Sequence, residues 1–355
     1  MSKTESSVPK VTIDSWIHSS GIDRLDAELI LVNAFNSHSS VIARTKSKAI
    51  QSGSPRSARD DSDSITRVFI LAHPEIIIPK PVLDEANKLL ARRQNREPLA
   101  YIFRVKEFYG RNFIVTPDVL IPRPETEHLV DCVLSLRGES RSNPVKSSQT
   151  GSPRYARDDA IKVLDLGTGS GCIGITLKLE HPELEVTLSD ISNKALSAAK
   201  QNWLILSRCE AKAEAIQINT LDRHANELAR DDMRFIKSDL LSGINDRFDC
   251  IIANLPYVDS TWQVSPEVKF EPADALYAND NGMELIKKLI NQAPKHLSKN
   301  GFLILELDPR QMKLVKKHAN TYGFKLLNES PFGLVFLAPQ QTLRLRSGRP
   351  SVGSG

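Results

Sequence analysis

Hydrophobic positions recur at two spacings along the chain, and the change of spacing divides it. From about residue 10 to 103 they follow a helical period: Ile13, Trp16 and Ile17, then Leu25, Leu29, Val32 and Phe35. A further helix is predicted from Pro81 to about Arg93, with Val82, Ala86, Leu89 and Leu90 on one face. Pro79 and Pro81 mark its start, because the first helical turn needs no backbone donor. Between Glu107 and Thr116 the pattern alternates, with Phe108, Phe113 and Val115 around the turn residues Gly110-Arg111-Asn112, which reads as a β-hairpin. Pro122 to Glu127 then opens another helix, with prolines and acids in its first turn.

After about Lys162 short β-branched runs alternate with helical stretches. The runs are Val163-Leu164, Val186 to Leu188, Phe235-Ile236, Cys250 to Ala253, Phe302 to Leu305, Lys325 to Leu327 and Val335 to Leu337. Seven such runs predict an α/β fold, a mostly parallel sheet with helices on both faces. The last two are close enough to form an antiparallel pair. The pattern therefore predicts a helical N-terminal domain over 1–103 with an insert at about 37–65, a β-hairpin linker over 104–120, and an α/β domain over 121–338 with inserts at about 138–160 and 208–232. The inserts share a phrase. Ser52 to Asp61 recurs almost unchanged as Thr150 to Asp159, and Ala-Arg-Asp-Asp returns at Ala229 to Asp232. These stretches are polar and lack apolar periodicity, so they read as insertions into surface loops rather than a duplicated binding module. The tail over 339–355 reads as loose, with Arg344, Arg346 and Arg349 solvated.

Composition narrows the class. Of 355 residues, 40% are hydrophobic and 25% charged, which excludes wholesale disorder, collagen and coiled coil. The net charge of +4 is too mild to mark a nucleic-acid binder by bulk charge. Cys132, Cys172, Cys209 and Cys250 include no C-x-x-C pair, so no zinc site or disulfide framework is expected and a reducing compartment fits. Met1 to Lys10 lacks an apolar signal core, and apolar runs such as Phe302 to Leu305 are far too short for a membrane span. A soluble, cytoplasmic, monomeric protein is the expectation.

The first chemical motif is Asp165-Leu-Gly167-Thr168-Gly169-Ser170-Gly171, a short strand running into a glycine bend and then a helix. Glycine permits positive φ and close approach of a ligand to the backbone. Asp190, at the end of the next strand, is placed to accept from both ribose hydroxyls of an adenosine. Gly169, Gly171 and Gly174 formally match a dinucleotide-binding spacing. Asp165, two residues before the first glycine, argues otherwise: a carboxylate there repels a pyrophosphate but suits a cationic aminoacyl group. That favours S-adenosylmethionine as cofactor over a dinucleotide, against the plainer alternative of a turn without a ligand. Asp239, with Leu240, follows the strand through Phe235 and is placed to reach the adenine amino group; a helix N-cap explains it equally well.

The second motif is Asn254-Leu255-Pro256-Tyr257, ending another strand. In open α/β sheets ligands sit outside the carboxyl ends of the strands, so this turn and the glycine bend are expected to face one crevice. The chemistry fits methyl transfer to a planar NH2 group. Such a nitrogen is a poor nucleophile, and it improves when both N–H groups are held by acceptors that align it with the methyl carbon. Asn254 Oδ1 and the Leu255 carbonyl supply the two acceptors, Pro256 stiffens the turn, and Tyr257 stacks on the planar group. An ordinary strand-to-loop turn is the bland reading.

Together these phrases resemble the release-factor glutamine methyltransferase family (the HemK/PrmC-type enzymes). The resemblance rests also on Glu97 to Tyr101, Glu107 to Gly110, Leu120 to Glu127, Phe270-Glu271-Pro272 with Ala275-Leu276, and Glu306. It implies a seven-stranded class I S-adenosylmethionine-dependent methyltransferase domain. The implied substrate is the glutamine of the Gly-Gly-Gln loop of peptide chain release factors, docked by the helical N-terminal domain, with Glu271 lining the acceptor pocket or pinning a loop over it. Stable nucleic-acid binding and membrane association are not expected. The chain departs from the family at Leu255, usually proline, and at Arg104 and Asp308, usually glycine. If those glycine positions need positive φ, each replacement costs about 1 kcal/mol or more. Two alternatives stand beside this reading: an adenine N6-methyltransferase acting on nucleic acid, whose acceptor is again a planar amino group, and a decayed relative that folds without turnover.

Overall fold

In a computed structural model of the protein, which describes residues 10–42, 45–46, 64–136, 161–218 and 233–340, all seven predicted runs are strands of one sheet. The shared insert phrases and the tail from 341 onward lie outside the described residues. The chain forms two units, one comprising residues up to Arg104 with Ser265–Phe270, the other comprising Val105–Val264 and Glu271 onward.

The first unit packs α1 (Ile13–Ser19), α2 (Arg24–Asn36), α3 (Arg67–Ala72), α4 (Lys80–Gln94) and α5 (Leu99–Phe103) around Trp16, Ile30, Leu31, Phe35, Phe69 and Val82. Thr12 and Ser15 form a reciprocal capping box on α1, and Pro81 lies in the first turn of α4. The insert expected at about 37–65 is narrower than that at both edges. Residues 39–42 are helical, and Ile42 and Ile65 are buried in the helical core. Asn36 fixes the far edge, its Oδ1 accepting from Ile65 N at 2.7 Å and its Nδ2 donating to Ile65 O at 2.9 Å. The sequence pattern missed this because one apolar residue flanked by polar ones carries no periodicity.

The second unit begins with the hairpin β1 (Val105–Phe108) and β2 (Arg111–Ile114). Its two-residue turn is Tyr109-Gly110, with φ of 54° and 76°, so Arg111 and Asn112 are strand residues rather than the turn expected for them. A type I′ hairpin turn needs positive φ at both central residues, and Tyr109 adopts it although its type disfavours it. Its backbone N–H is held by Glu127 Oε1 at 2.9 Å and its hydroxyl by Asp131 at 2.9 Å. Phe108 and Phe113 are buried in this unit's core, so the expected linker is part of the second unit's packing.

The sheet consists of β3 (Lys162–Leu166), β4 (Glu185–Asp190), β5 (Arg234–Lys237), β6 (Phe248–Ala253), β7 (Leu297–Glu306), β8 (Lys325–Ser330) and β9 (Gly333–Leu337), in the order β5-β4-β3-β6-β7-β9-β8. The first five pair in parallel, and β9 is antiparallel to both β7 and β8. Strand alternation sorts the buried side chains onto two faces. Ile251, Ala253, Leu303 and Leu305 meet α9 (Glu284–His296) and α10 (Met312–Thr321), while Cys250, Ile252, Phe302 and Ile304 meet α6 (Glu127–Leu136), α7 (Cys172–Glu180) and α8 (Asn193–Ile218). The helix α8 continues to Ile218, into the stretch expected to be an insert from about 208. Chain order reverses between β3 and β6. That is the switch point of the sheet, where the two loops leaving the carboxyl ends diverge and open a crevice.

Candidate active site

The glycine bend leaves β3 at this switch point. Gly167, Gly169 and Gly171 have φ of 73°, 56° and 84°, so L side chains are strained at all three. Gly167 N and Thr168 N donate to Ser189 O at 2.8 and 3.0 Å, and Asp190 Oδ2 accepts from Gly169 N at 3.0 Å. Ser170 O accepts from Asn202 Nδ2 at 2.9 Å, which ties the bend to α8. A Cβ on Gly169 meets nothing within 4 Å, whereas one on Gly167 lies 3.1 Å from Leu255 Cδ2. The glycine bend and the Asn254 turn are therefore neighbours, as the parallel register of Leu166 with Ala253 requires.

Asp165 is fully buried. Its Oδ2 accepts from Thr168 Oγ1 at 2.6 Å and from Gly174 N at 2.9 Å, while Oδ1 has no partner among the described residues. Burial pushes its pKa up to about 6 against the lowering effect of those two bonds. Asp190 also has a raised pKa, through burial, although Ser192 N donates to its Oδ1 at 2.8 Å. Each Asp190 oxygen retains an acceptor site, and the following Ile191 is 62% exposed. An unpaired buried carboxylate oxygen, a second carboxylate with free acceptor sites, an exposed apolar residue beside it and open space over Gly169 fit an ammonium, a ribose diol and an adenine. Sequence reasoning did not single out Ile191; its signal was an isoleucine at a strand end, where turn residues are usual. Asp239 is exposed in a turn over 239–243 and no helix starts there, so the N-cap alternative for it does not hold. Leu240 beside it is buried, with φ of 47°.

The Asn254 turn is built on β6 and β7. Ala253 pairs with Leu305, so Asn254 and Glu306 come next on adjacent strands. Asn254 Nδ2 donates to Glu306 Oε1 at 2.9 Å and to Thr126 Oγ1 at 3.2 Å. Its Oδ1 accepts from no described residue. Tyr257 donates its hydroxyl to Glu306 Oε1 at 3.3 Å, and burial together with the Glu306 charge raises its pKa. The Tyr257 carbonyl accepts from Gln311 Nε2 at 2.8 Å, which also reaches Asn281 O at 2.9 Å. Asp280, Asn281 and Gly282 form three successive left-handed residues, and a Cβ at Gly282 would overlap the Tyr257 carbonyl. That close approach explains the glycine.

Glu306 is 2% exposed, and its Oε2 has no described partner. Burial pushes its pKa up to about 7, opposed by bonds from Thr126, Tyr257 and Asn254 and assisted by the Glu125 charge. The sequence marked Glu306 only as part of a family phrase; its contact with Asn254 depends on the β6–β7 register. Glu271 is buried as well, with Oε1 bonded to Arg123 Nη2 at 2.5 Å and Oε2 accepting from Ile121 N at 3.1 Å. These bonds tie Glu271 to the 121–123 segment, the contacts of a loop-pinning residue. Trp262 carries the Arg310 guanidinium over its ring at 3.5 Å, and Asp308 grips that guanidinium at 2.7 Å. Asp308 has no positive φ, so replacing glycine there brings no strain, whereas Arg104 does sit at φ 59°. No cluster of three or more His, Cys, Asp or Glu among the described residues is placed to hold a metal. No described helix is long and apolar enough to cross a membrane.

The profile of a methyltransferase small domain matches residues 154–205, and that of a PrmC N-terminal domain matches 64–103. A release factor glutamine methyltransferase of Koribacter versatilis is 38% identical over 246 residues, covering 68% of this chain and 73% of the relative. A protein of the same name from Neisseria gonorrhoeae is 36% identical, covering 68% and 74%. A bifunctional methyltransferase of Rickettsia bellii is 34% identical, covering 73% of this chain and 45% of its own length. With the glycine bend, the paired acids and the Asn254 turn gathered at one switch point, these similarities settle the lineage: the chain belongs to the release factor glutamine methyltransferase family.

Proposed function

We propose that the chain methylates the side-chain amide nitrogen (N5) of the glutamine in the Gly-Gly-Gln loop of peptide chain release factors, with S-adenosylmethionine as donor. The observation that carries this reading is Asn254. Both directions open to its NH2 group end on protein acceptors, Glu306 and Thr126, so its Oδ1 is left to accept from a substrate N–H. When bound, S-adenosylmethionine supplies an electrophilic methyl on a sulfonium and leaves as a neutral thioether. Asp165 Oδ1 is the acceptor for its ammonium, Asp190 for its ribose, and Gly167 to Gly171 give the backbone clearance it needs. Leu240 and Ile191 offer apolar surface to the base.

Asn254 Oδ1 and the Leu255 carbonyl hold the two amide N–H groups of the substrate. Alignment of this kind contributes several kcal/mol of barrier lowering, and because the methylated nitrogen can release its N–H proton to water no strong base is required. Pro256 restricts the turn, and Tyr257 is tied to Glu306 by its hydroxyl, leaving the ring to pack on the carboxamide plane. The helical unit, matched by the PrmC N-terminal profile, is the proposed dock for the release factor. We take the chain to act as a monomer in the cytoplasm, and the net charge of +4 is consistent with the absence of stable nucleic-acid binding.

The test is mass spectrometry of a Gly-Gly-Gln peptide and a whole release factor after incubation with S-adenosylmethionine. Wild type adds one methyl to the glutamine. Asn254→Ala lowers turnover about 100-fold or more while cofactor affinity changes little. A wild-type chain that binds cofactor and leaves the glutamine unmodified refutes the proposal.

A further inference from the structure

We propose that Glu306 is a positioning residue that sets the polarity of the acceptor turn and thereby makes the site select a carboxamide over a carboxylate. The inference deepens the proposed function and rests on it. A primary amide has a donor end and an acceptor end of nearly equal shape, so an asparagine in a crevice presents either one unless its surroundings decide. Here the surroundings decide by chemistry. An ionised carboxylate only accepts, and Glu306 Oε1 lies 2.9 Å from the Asn254 amide nitrogen. Turning the amide over puts Asn254 Oδ1 against that carboxylate and loses a charge-assisted bond, which is roughly twice as strong as a neutral one. Thr126 adds to the same bias. Its hydroxyl oxygen accepts the second Asn254 N–H at 3.2 Å.

The same Glu306 oxygen accepts from Tyr257 at 3.3 Å. One buried carboxylate therefore holds both ends of the Asn254-Leu255-Pro256-Tyr257 turn. Asn254 then offers only an oxygen, and the Leu255 carbonyl is an oxygen by nature. Two acceptors receive the two N–H groups of a glutamine amide and repel the oxygens of a glutamate, so selection follows from unpaired lone pairs rather than from size.

The groups facing Glu306 are Glu125 and Thr126 from the turn before α6, Asn254 and Tyr257 from the loop after β6, and the Cys172 thiol at the start of α7. Arg123 and Asp308 act on the neighbouring Tyr257. Burial raises the Glu306 pKa to about 7, so its proton leaves near neutral pH. Below that pH a protonated Glu306 is able to donate, and the bias on Asn254 weakens.

The experiment compares wild type with Glu306→Gln on a Gly-Gly-Gln peptide across pH 5.5 to 9. Wild-type kcat rises as pH passes about 7 and then levels. Glu306→Gln, which accepts and donates equally well, has a kcat lower by roughly 10- to 100-fold, no inflection near 7, and cofactor Kd within about twofold of wild type. A peptide with glutamate in place of the glutamine inhibits wild type poorly and inhibits Glu306→Gln at least about tenfold better, because the freed Asn254 amide turns its donor end outward. The wild-type protein supplies an independent readout: the Asn254 side-chain amide proton resonances move with an apparent pKa near 7. Unchanged kcat, an unchanged pH inflection and continued rejection of the glutamate peptide in Glu306→Gln overturn the inference while leaving the methyltransferase reading intact. Absence of methylation by wild type refutes that reading instead. If Glu306→Gln does not fold, Asn254 resonances that stay fixed from pH 5.5 to 9 in wild type overturn it.

Discussion

Replacing Gly167 and Gly169 by alanine separates two effects that a glycine bend combines. Both residues have positive φ, 73° and 56°. An L side chain there costs about 1–2 kcal/mol, partly offset by the roughly 0.4–1 kcal/mol that alanine recovers through a less flexible unfolded chain. Each variant should therefore lose about 1 kcal/mol, or roughly 2–4 °C in Tm for a domain of this size. Their kinetics should differ. The new methyl at Gly169 points into open space, so Gly169→Ala obstructs the cofactor and raises its KM. The new methyl at Gly167 lies 3.1 Å from Leu255 Cδ2, closer than ordinary contact, and the leucine must retreat by a few tenths of an ångström. Since an ångström of misplacement can cost about 100-fold, this shift of the residue proposed to carry one acceptor carbonyl should lower kcat about 3- to 10-fold. Leu255→Val shortens the side chain and should recover most of that loss in the Gly167→Ala background, a coupling visible in a double-mutant cycle with the peptide assay. Equal changes in the same constant for both alanine variants, or additive effects of Gly167→Ala and Leu255→Val, would refute this separation.

Arg104 adopts φ 59° at the end of α5 and is exposed, so Arg104→Gly should raise stability by up to about 1 kcal/mol in thermal or urea unfolding; a loss of stability would contradict the strain argument. Asp165 has a folded pKa of about 6 against an ordinary 3.8, so the folded protein binds this proton more tightly than the unfolded chain. Its contribution to stability without cofactor is therefore complete below pH 4 and is lost as pH rises through 6, at most about 3 kcal/mol. Calorimetry should show the opposite trend for cofactor affinity, which strengthens as Asp165 ionises; Asp165→Asn should weaken binding at least about tenfold at pH 7.5 and abolish the inflection near 6. A pH-independent affinity in wild type would remove Asp165 as the ammonium acceptor.

The strands and the two loops at the switch point were readable because each rests on local chemistry. β-branched runs such as Cys250 to Ala253 have few other uses, and glycine at 167, 169 and 171 answers to positive φ. The hairpin turn was displaced because Tyr109 adopts a conformation its residue type disfavours, held by Glu127 and Asp131 from a helix 18 or more residues away. The contacts of Glu306 and Thr126 with Asn254 span 52 and 128 residues, and they exist only once β6, β7 and the turn before α6 are in register. Gln311, which joins Tyr257 to the left-handed turn at Asn281, was invisible for the same reason. Asp308 illustrates the converse: the sequence suggested strain, and the backbone there is ordinary.

The proposed function requires one crevice that aligns a methyl donor with an amide nitrogen held by two oxygens. It is tested most directly by a crystal structure of the protein with S-adenosylhomocysteine and a Gly-Gly-Gln peptide. The glutamine amide nitrogen should lie about 3 Å from both Asn254 Oδ1 and the Leu255 carbonyl, with the thioether sulfur on its open side. An amide nitrogen bound by other groups, or an Asn254 that turns its NH2 toward the peptide, would contradict it.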